Sequence, residues 1–223
     1  TRLRYHSYSA EGDPLTVSKE NDVMEAYYWN QNKQYPIAQA IGARGSEIFF
    51  DSYEELGSWS GVVYDNTKTH TGKFSGKIVN TTGGEVTYHS NKWLDIALTT
   101  DTKFKYSGWV YSTGPSVELF LFMNKSTPPP NGYFEHVHST ATSQTGSWVF
   151  VEGEVRVPQY ITRLNIRIDN NSAGTVWFDD IRLHPSSAQM VTYTYDPLIG
   201  MTSQTDINNQ STFLGYGAYG RLF

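Results

Sequence analysis

Residues 175–183, Thr175-Val-Trp-Phe-Asp-Asp-Ile-Arg-Leu183, read as a buried β-strand with two adjacent carboxylates in its middle. β-Branched and aromatic residues fill the run and suit a pleated, packed surface. Burying a bare carboxylate costs several kcal/mol unless donors or a cation compensate it. Strand alternation also sends Asp179 and Asp180 to opposite faces, so their partners should differ.

Outward from this strand, the chain is a succession of apolar runs separated by turn chemistry. Strands are predicted at 46–53, 73–79, 85–90, 103–112, 117–123, 133–140, 148–157, 161–169 and 175–184, with Thr-Gly, Gly-Gly and Pro-rich joints between them. Val149, Val151, Val155 and Val157 share one face, with Glu152, Glu154 and Arg156 on the other. Leu164, Ile166 and Ile168 likewise alternate with Arg163, Asn165 and Arg167. Around 120 the pattern changes: Leu119, Leu121 and Met123 supply a core face, yet Phe120 and Phe122 occupy the opposite one. Nine short strands at this spacing predict an all-β chain, an antiparallel β-sandwich or jelly roll.

Composition agrees. Charged residues make up only 17% of the 223 residues and aromatic residues 15%, with a net charge of −5 and no basic run. Nucleic acid and membrane insertion are therefore excluded as expected partners. There are no cysteines, hence no disulfide, thiolate metal site or cysteine nucleophile. The opening Thr-Arg-Leu-Arg-Tyr-His is no signal peptide and lacks an initiator Met, which reads as a piece of a longer chain.

The outer segments, 1–44 and 187–223, have a different texture. Tyr8 is followed 20 residues on by Tyr28-Trp29, and Tyr195 is followed 21 residues on by Tyr216. Tyr and Gly recurring near this period mark short hairpin units that need neighbours to bury a face. The expected organisation is a middle domain, 45–186, inserted between two repeat segments.

Tyr193-Thr-Tyr-Asp196, continuing through Gly200 to Thr205-Asp206, resembles the YD repeats of Rhs-type proteins of Bacteroidetes; Pro14 to Ala38 resembles the same family upstream. Gly217 and Ser9 stand where the repeat Asp is expected. The middle domain resembles carbohydrate-binding modules of the galactose-binding-domain-like jelly-roll type. Four stretches carry that likeness in order: Asp51-Ser-Tyr-Glu-Glu-Leu-Gly-Ser-Trp59, His70-Thr-Gly-Lys-Phe-Ser-Gly-Lys-Ile78, Thr145-Gly-Ser-Trp148 and Trp177-Phe-Asp-Asp-Ile-Arg-Leu183.

The resemblance implies a structural Ca²⁺ between the first and last strands. Its expected ligands are the Asp179 side chain, Ser52 and Glu54 from the first strand, and the Lys73 backbone carbonyl, since a hard cation collects six to eight oxygens. The alternative is that Asp179 simply accepts backbone N–H bonds. Asp180 is expected to face a turn amide or solvent. The resemblance further implies sugar binding through aromatic planes and planar polar groups. Trp109, Tyr111, Phe120, Phe122, Arg163, Asn165 and Arg167 are placed by parity on a concave face, and Trp93 in a loop. Trp59, Trp148 and Trp177 are expected in the core.

No catalytic constellation stands out. His136 and His138 share a strand face without a third metal ligand at fitting spacing. Glu152 and Glu154 read as solvated, and no carboxylate pair marks a glycosidase cleft. The expected function is non-catalytic binding of a polysaccharide or surface glycan by an exported or cell-surface protein, within the remainder of a larger YD-repeat chain. The rival readings are a structural or protein-adhesive insert of an Rhs shell, and a jelly-roll lyase or hydrolase.

Overall fold

The computed structural model describes residues 2–125, 136–217 and 221. The described residues fold as antiparallel β-structure with one short 3-10 turn at Gly45–Glu47. No helix among the described residues is long and apolar enough to cross a membrane.

Four strands come first: β1 (Leu3–Tyr8), β2 (Pro14–Lys19), β3 (Met24–Trp29) and β4 (Pro36–Ile41). Eleven follow: β5 (Phe49–Asp51), β6 (Val63–Asp65), β7 (Ser75–Asn80), β8 (Val86–His89), β9 (Leu94–Asp95), β10 (Thr102–Ser112), β11 (Val117–Asn124), β12 (His136–Thr142), β13 (Trp148–Val157), β14 (Arg163–Asn170) and β15 (Gly174–Pro185). The last three are β16 (Gln189–Asp196), β17 (Gly200–Thr205) and β18 (Ser211–Phe213).

They form three sheets. One runs β13-β10-β15-β7-β6, with β5 also on β15; another runs β12-β11-β14-β8, with β9 on β14. The third, β1-β2-β3-β4-β16-β17-β18, unites both ends of the chain. In it Gln189, Met190, Val191 and Thr192 pair with Ile41, Ala40, Gln39 and Ala38, so the chain leaves this sheet at β4 and returns beside it at β16.

Alternation places the residues of the first two sheets. Leu119, Leu121 and Met123 of β11, Leu164, Ile166 and Ile168 of β14, and Phe104, Tyr106 and Val110 of β10 enter one apolar core. Val151 and Val157 of β13 join them. Gly153 falls on the same face of β13 and is glycine because the Tyr106 ring crosses there: a Cβ would meet that ring at 2.3 Å. The predicted strand at 46–53 shortens to β5, since 45–47 form the 3-10 turn and Tyr53 takes φ +59°. Strands β6 and β9, only three and two residues long, are too short for periodicity to register. Of the predicted strand 133–140, residues 133–135 lie outside the described residues, as does the loop at 126–131.

Strand β5 serves two cores through its own alternation. Phe49 packs into the sandwich, whereas Phe50 enters a second cluster with Ile48, Ala26, Ala38, Ala40 and Met190 under the end-to-end sheet. The alanines of β3 and β4 let that sheet approach closely.

Candidate functional site

The neighbourhood of Asp179 and Asp180 departs from simple parity. Along β10 and β15 the register runs Trp109↔Asp179 and then Ser107↔Arg182, so Gly108 faces two residues, Asp180 and Ile181. This is a β-bulge, and Asp180 takes φ +50° within it. The bulge turns both carboxylates toward the turn at 70–71. Asp179 Oδ2 accepts the backbone N–H of His70 (2.7 Å) and Thr71 (3.1 Å), and its Oδ1 accepts that of Asp180 (2.8 Å). Asp180 accepts the Thr71 hydroxyl at 2.6 Å and lies 2.7 Å from His70 Nδ1. Asp180 therefore meets side chains of the same turn, not a turn amide or solvent, and is 2% exposed.

These acids are held by donors, yet burial still presses on them. Burial, then the charge of Asp180, raises the Asp179 carboxyl well above its usual range. Burial likewise lifts Asp51 to about 6 and Glu54 to about 7. Each group binds its proton more tightly folded than unfolded. Each therefore contributes stability below its ordinary pKa, and that contribution is lost as the pH rises through about 6 for Asp51 and about 7 for Glu54. The combined effect between pH 8 and pH 5 is about 4 kcal/mol, so Tm at pH 5 should exceed Tm at pH 8 by on the order of 10 °C. Scanning calorimetry checks this, with Asp51→Asn and Glu54→Gln flattening the profile; a Tm that rises toward pH 8 would refute it.

Backbone donors already meet part of the expected calcium set. Ser52 and Glu54 follow β5 rather than lying on it. Glu54 Oε1 accepts the N–H groups of Lys73 (2.6 Å) and Phe74 (2.9 Å), and both Asp179 oxygens accept N–H groups as described. Donors thus face the oxygens where an ion would be coordinated. Among the described residues, no group of three or more His, Asp or Glu is placed to hold a metal.

The eight sugar-contact candidates fall on two separate faces. Trp109 and Tyr111 sit on the outer face of the β10 sheet. His70 stacks on Trp109 at 4.0 Å and 14°, and Tyr111 packs edge-on against Trp148 and Trp177. The Lys68 ammonium lies 4.1 Å from the Tyr111 ring centre. Trp148 is half-buried on this outer face, and Trp177, though buried, also lies there instead of in the sandwich core. Alternation carried the signal: Trp177 lies between core residues Val176 and Phe178, and Trp148 precedes Val149, which packs against the core. Trp59 is in the core as expected, its Nε1 donating to Asp51.

The other six candidates gather on the outer face of the β14 sheet. Phe120 and Phe122 of β11 stack at 6.0 Å and 23°, opposite Arg167 and Asn165 of β14. The Arg167 guanidinium lies 5.0 and 5.5 Å from the two ring centres and bonds to Asp169 and Glu85. Arg163 lies over Trp93 at 4.9 Å. Asn165 is 1% exposed; its amide donates to the carbonyls of Ser90 and Lys92, so it braces that loop, and its Oδ1 has no partner.

Remaining polar pairs are structural. His138 Nδ1 meets Tyr106 Oη at 2.7 Å, and His136 Nε2 meets Tyr160 Oη at 2.7 Å, so the two imidazoles are separately engaged. Glu152 and Glu154 pair with Lys105 and Lys103 at the surface.

All-β architecture with antiparallel sheets in a sandwich is the class this fold defines. No protein-family model matches the chain, and no curated protein sequence does. Among solved structures it is similar to the CBM22-1–GH10 modules of Clostridium thermocellum xylanase 10B with xylohexaose, at TM-score 0.49 and 15% identity over 63% of this chain and 29% of that one. It is similar to the enzymatically active domain of bacteriophage CBA120 tailspike protein 4, at TM-score 0.47 and 13% identity over 60% of this chain and 20% of that one. The CBM22-2 xylan-binding domain of Paenibacillus barcinonensis Xyn10C gives TM-score 0.46 and 16% identity over 62% of this chain and 99% of that one.

Proposed function

We propose that this chain is a non-catalytic carbohydrate-binding β-sandwich, carried within an exported Rhs-type YD-repeat protein, that holds its parent on a polysaccharide or surface glycan. The observation that carries the reading is the Phe120–Phe122 pair on a sheet face away from the core. Flat apolar rings suit the CH faces of sugars. Arg167 and Glu85 beside them supply the planar polar groups that read hydroxyls, with buried Asp169 holding Arg167 in place.

One observation favours the structural or adhesive insert as a second reading: Arg167 already lies over both rings, and Phe122 is only 3% exposed. Affinity electrophoresis against neutral xylans and galactans separates the two. Retardation by one polymer is expected, with Phe120→Ala weakening it about tenfold, ~1.4 kcal/mol. No retardation of the folded chain by any polymer, or an unchanged affinity in Phe120→Ala, would move the conclusion to the insert. Calcium, implied by the resemblance, is a separate proposal, tested in the same gels and by calorimetry. A loss of retardation or of Tm with chelator would support the ion, and equal values would leave the backbone donors around Asp179 and Glu54 as the sole partners of those acids.

A further inference from the structure

A cleft of about 1230 Å³ opens where the sandwich meets the end-to-end sheet. It exceeds the roughly 300–1,000 Å³ of a drug-sized pocket and so has room for an oligomer. Its walls come from segments far apart in sequence: the turn after β3, the stretch after β5, the loop at 91–92 and strand β16.

The turn is wound on Asn30, which is 3% exposed and whose Oδ1 accepts the N–H groups of Gln34 and Tyr35 at 2.7 and 3.2 Å. Its backbone carbonyl accepts Lys33 N–H at 3.0 Å, and Lys33 is held at φ +56°. This turn sets Tyr35 against Tyr195 of β16, ring centres 4.1 Å apart. Across the cleft the Lys92 ammonium lies 3.9 Å from the centre of the Tyr28 ring.

The charges in the lining are unequally committed. Both Glu55 oxygens accept Gln31 N–H, Glu54 accepts Lys73 and Phe74 N–H, and Asp51 accepts Tyr53 N–H and the Trp59 indole. Lys73 pairs with Asp196 at 2.7 Å. Lys33 and Lys92 have no carboxylate partner in hydrogen-bond contact among the described residues; Lys33 acts on Glu55 only at longer range. The cleft thus offers tyrosine planes, side-chain amides from Gln31, Asn32 and Asn91, and two cations without a carboxylate partner, Lys92 resting on the Tyr28 ring.

We propose that this junction cleft is a second ligand site, distinct from the Phe120–Phe122 face, and that it takes a saccharide bearing carboxylates, a uronate oligomer. Tyr35 and Tyr195 hold the sugar faces; Lys33 and Lys92 take the carboxylates. Amides and flat rings favour a hydroxylated ring over an acidic peptide, whose side-chain carboxylates would use the lysines but leave these surfaces unmatched.

The test is isothermal titration of the whole chain with a trimer of galacturonic acid, with galactotriose as the neutral control. Binding of the acidic trimer is expected, at least tenfold tighter than the neutral one and severalfold weaker at 0.5 M than at 0.05 M salt, as exposed charge pairs are screened. Lys33→Gln with Lys92→Gln, checked for folding by circular dichroism, should lose at least tenfold in affinity, and Tyr35→Ala a comparable amount. Phe120→Ala reports the sheet-face reading separately, so either site can fail without the other. Absence of trimer binding, equal affinity for the neutral control, or unchanged affinity in the double lysine variant would overturn the proposal. Displacement of the trimer by hexaglutamate at lower concentration would overturn it in favour of an acidic peptide.

Discussion

Arg182→Ala should destabilise the chain by about 3–5 kcal/mol, with the loss concentrated in β16–β18 and not in the sandwich. Arg182 lies in β15 with its side chain turned away from the core formed by Ile181 and Leu183, and it is 3% exposed. Its Nη1 donates to the Asp206 carbonyl at 3.1 Å and to Asn209 Oδ1 at 2.9 Å; its Nη2 donates to the Thr192 hydroxyl and the Thr205 carbonyl. Burial pushes its pKa down to about 10, so the cation persists at neutral pH and depends on those oxygens. Alanine leaves them without their donor and removes the bolt between β15 and the β16–β17 hairpin. Arg182→Lys should rescue little, because one ammonium cannot reproduce the four-point fork. Hydrogen exchange read strand by strand checks this: uniform protection loss, or a cost under about 1 kcal/mol, would contradict it.

Asp179→Ala is expected to cost a similar ~3–5 kcal/mol through a different route. One carboxylate gathers three backbone N–H groups, from His70, Thr71 and Asp180. Its removal leaves those donors buried and opens the bulge that also lets Asp180 bind Thr71 and His70. Asp179→Asn should recover only part of the loss, since its oxygen can replace Oδ2 but its amide nitrogen cannot accept the Asp180 N–H. Urea unfolding measures both variants; a midpoint within experimental error of the parent for Asp179→Ala would show that water replaces the carboxylate at no cost.

Much of the sandwich was legible because its long strands alternate cleanly. Residues 148–157 and 117–123 announced both their extent and their core face, since half-buried strands leave a two-residue rhythm. The bulge at Asp180 was not legible: parity assumes an unbroken pleat, and nothing local says that Gly108 will face two residues. Family habit overrode alternation at Trp148 and Trp177, whose neighbours already pointed them outward. Pooling Trp109 and Tyr111 with Phe120 and Phe122 failed for another reason, because parity assigns a face within a strand but not which sheet the strand joins. Arg182 and the junction cleft lay beyond reach altogether, as both exist only where the fold brings separate strands and loops together.

The side-by-side pairing of β4 and β16 has a mechanical consequence. Four paired residues connect the point where the chain departs for the sandwich to the point where it comes back. A pull applied to the two ends of the chain is carried across that short ladder, and the 147 residues between Ile41 and Gln189 hang outside the load path. The sandwich is thus shielded from stretch: whatever it grips can be held while tension passes through the sheet from which it projects.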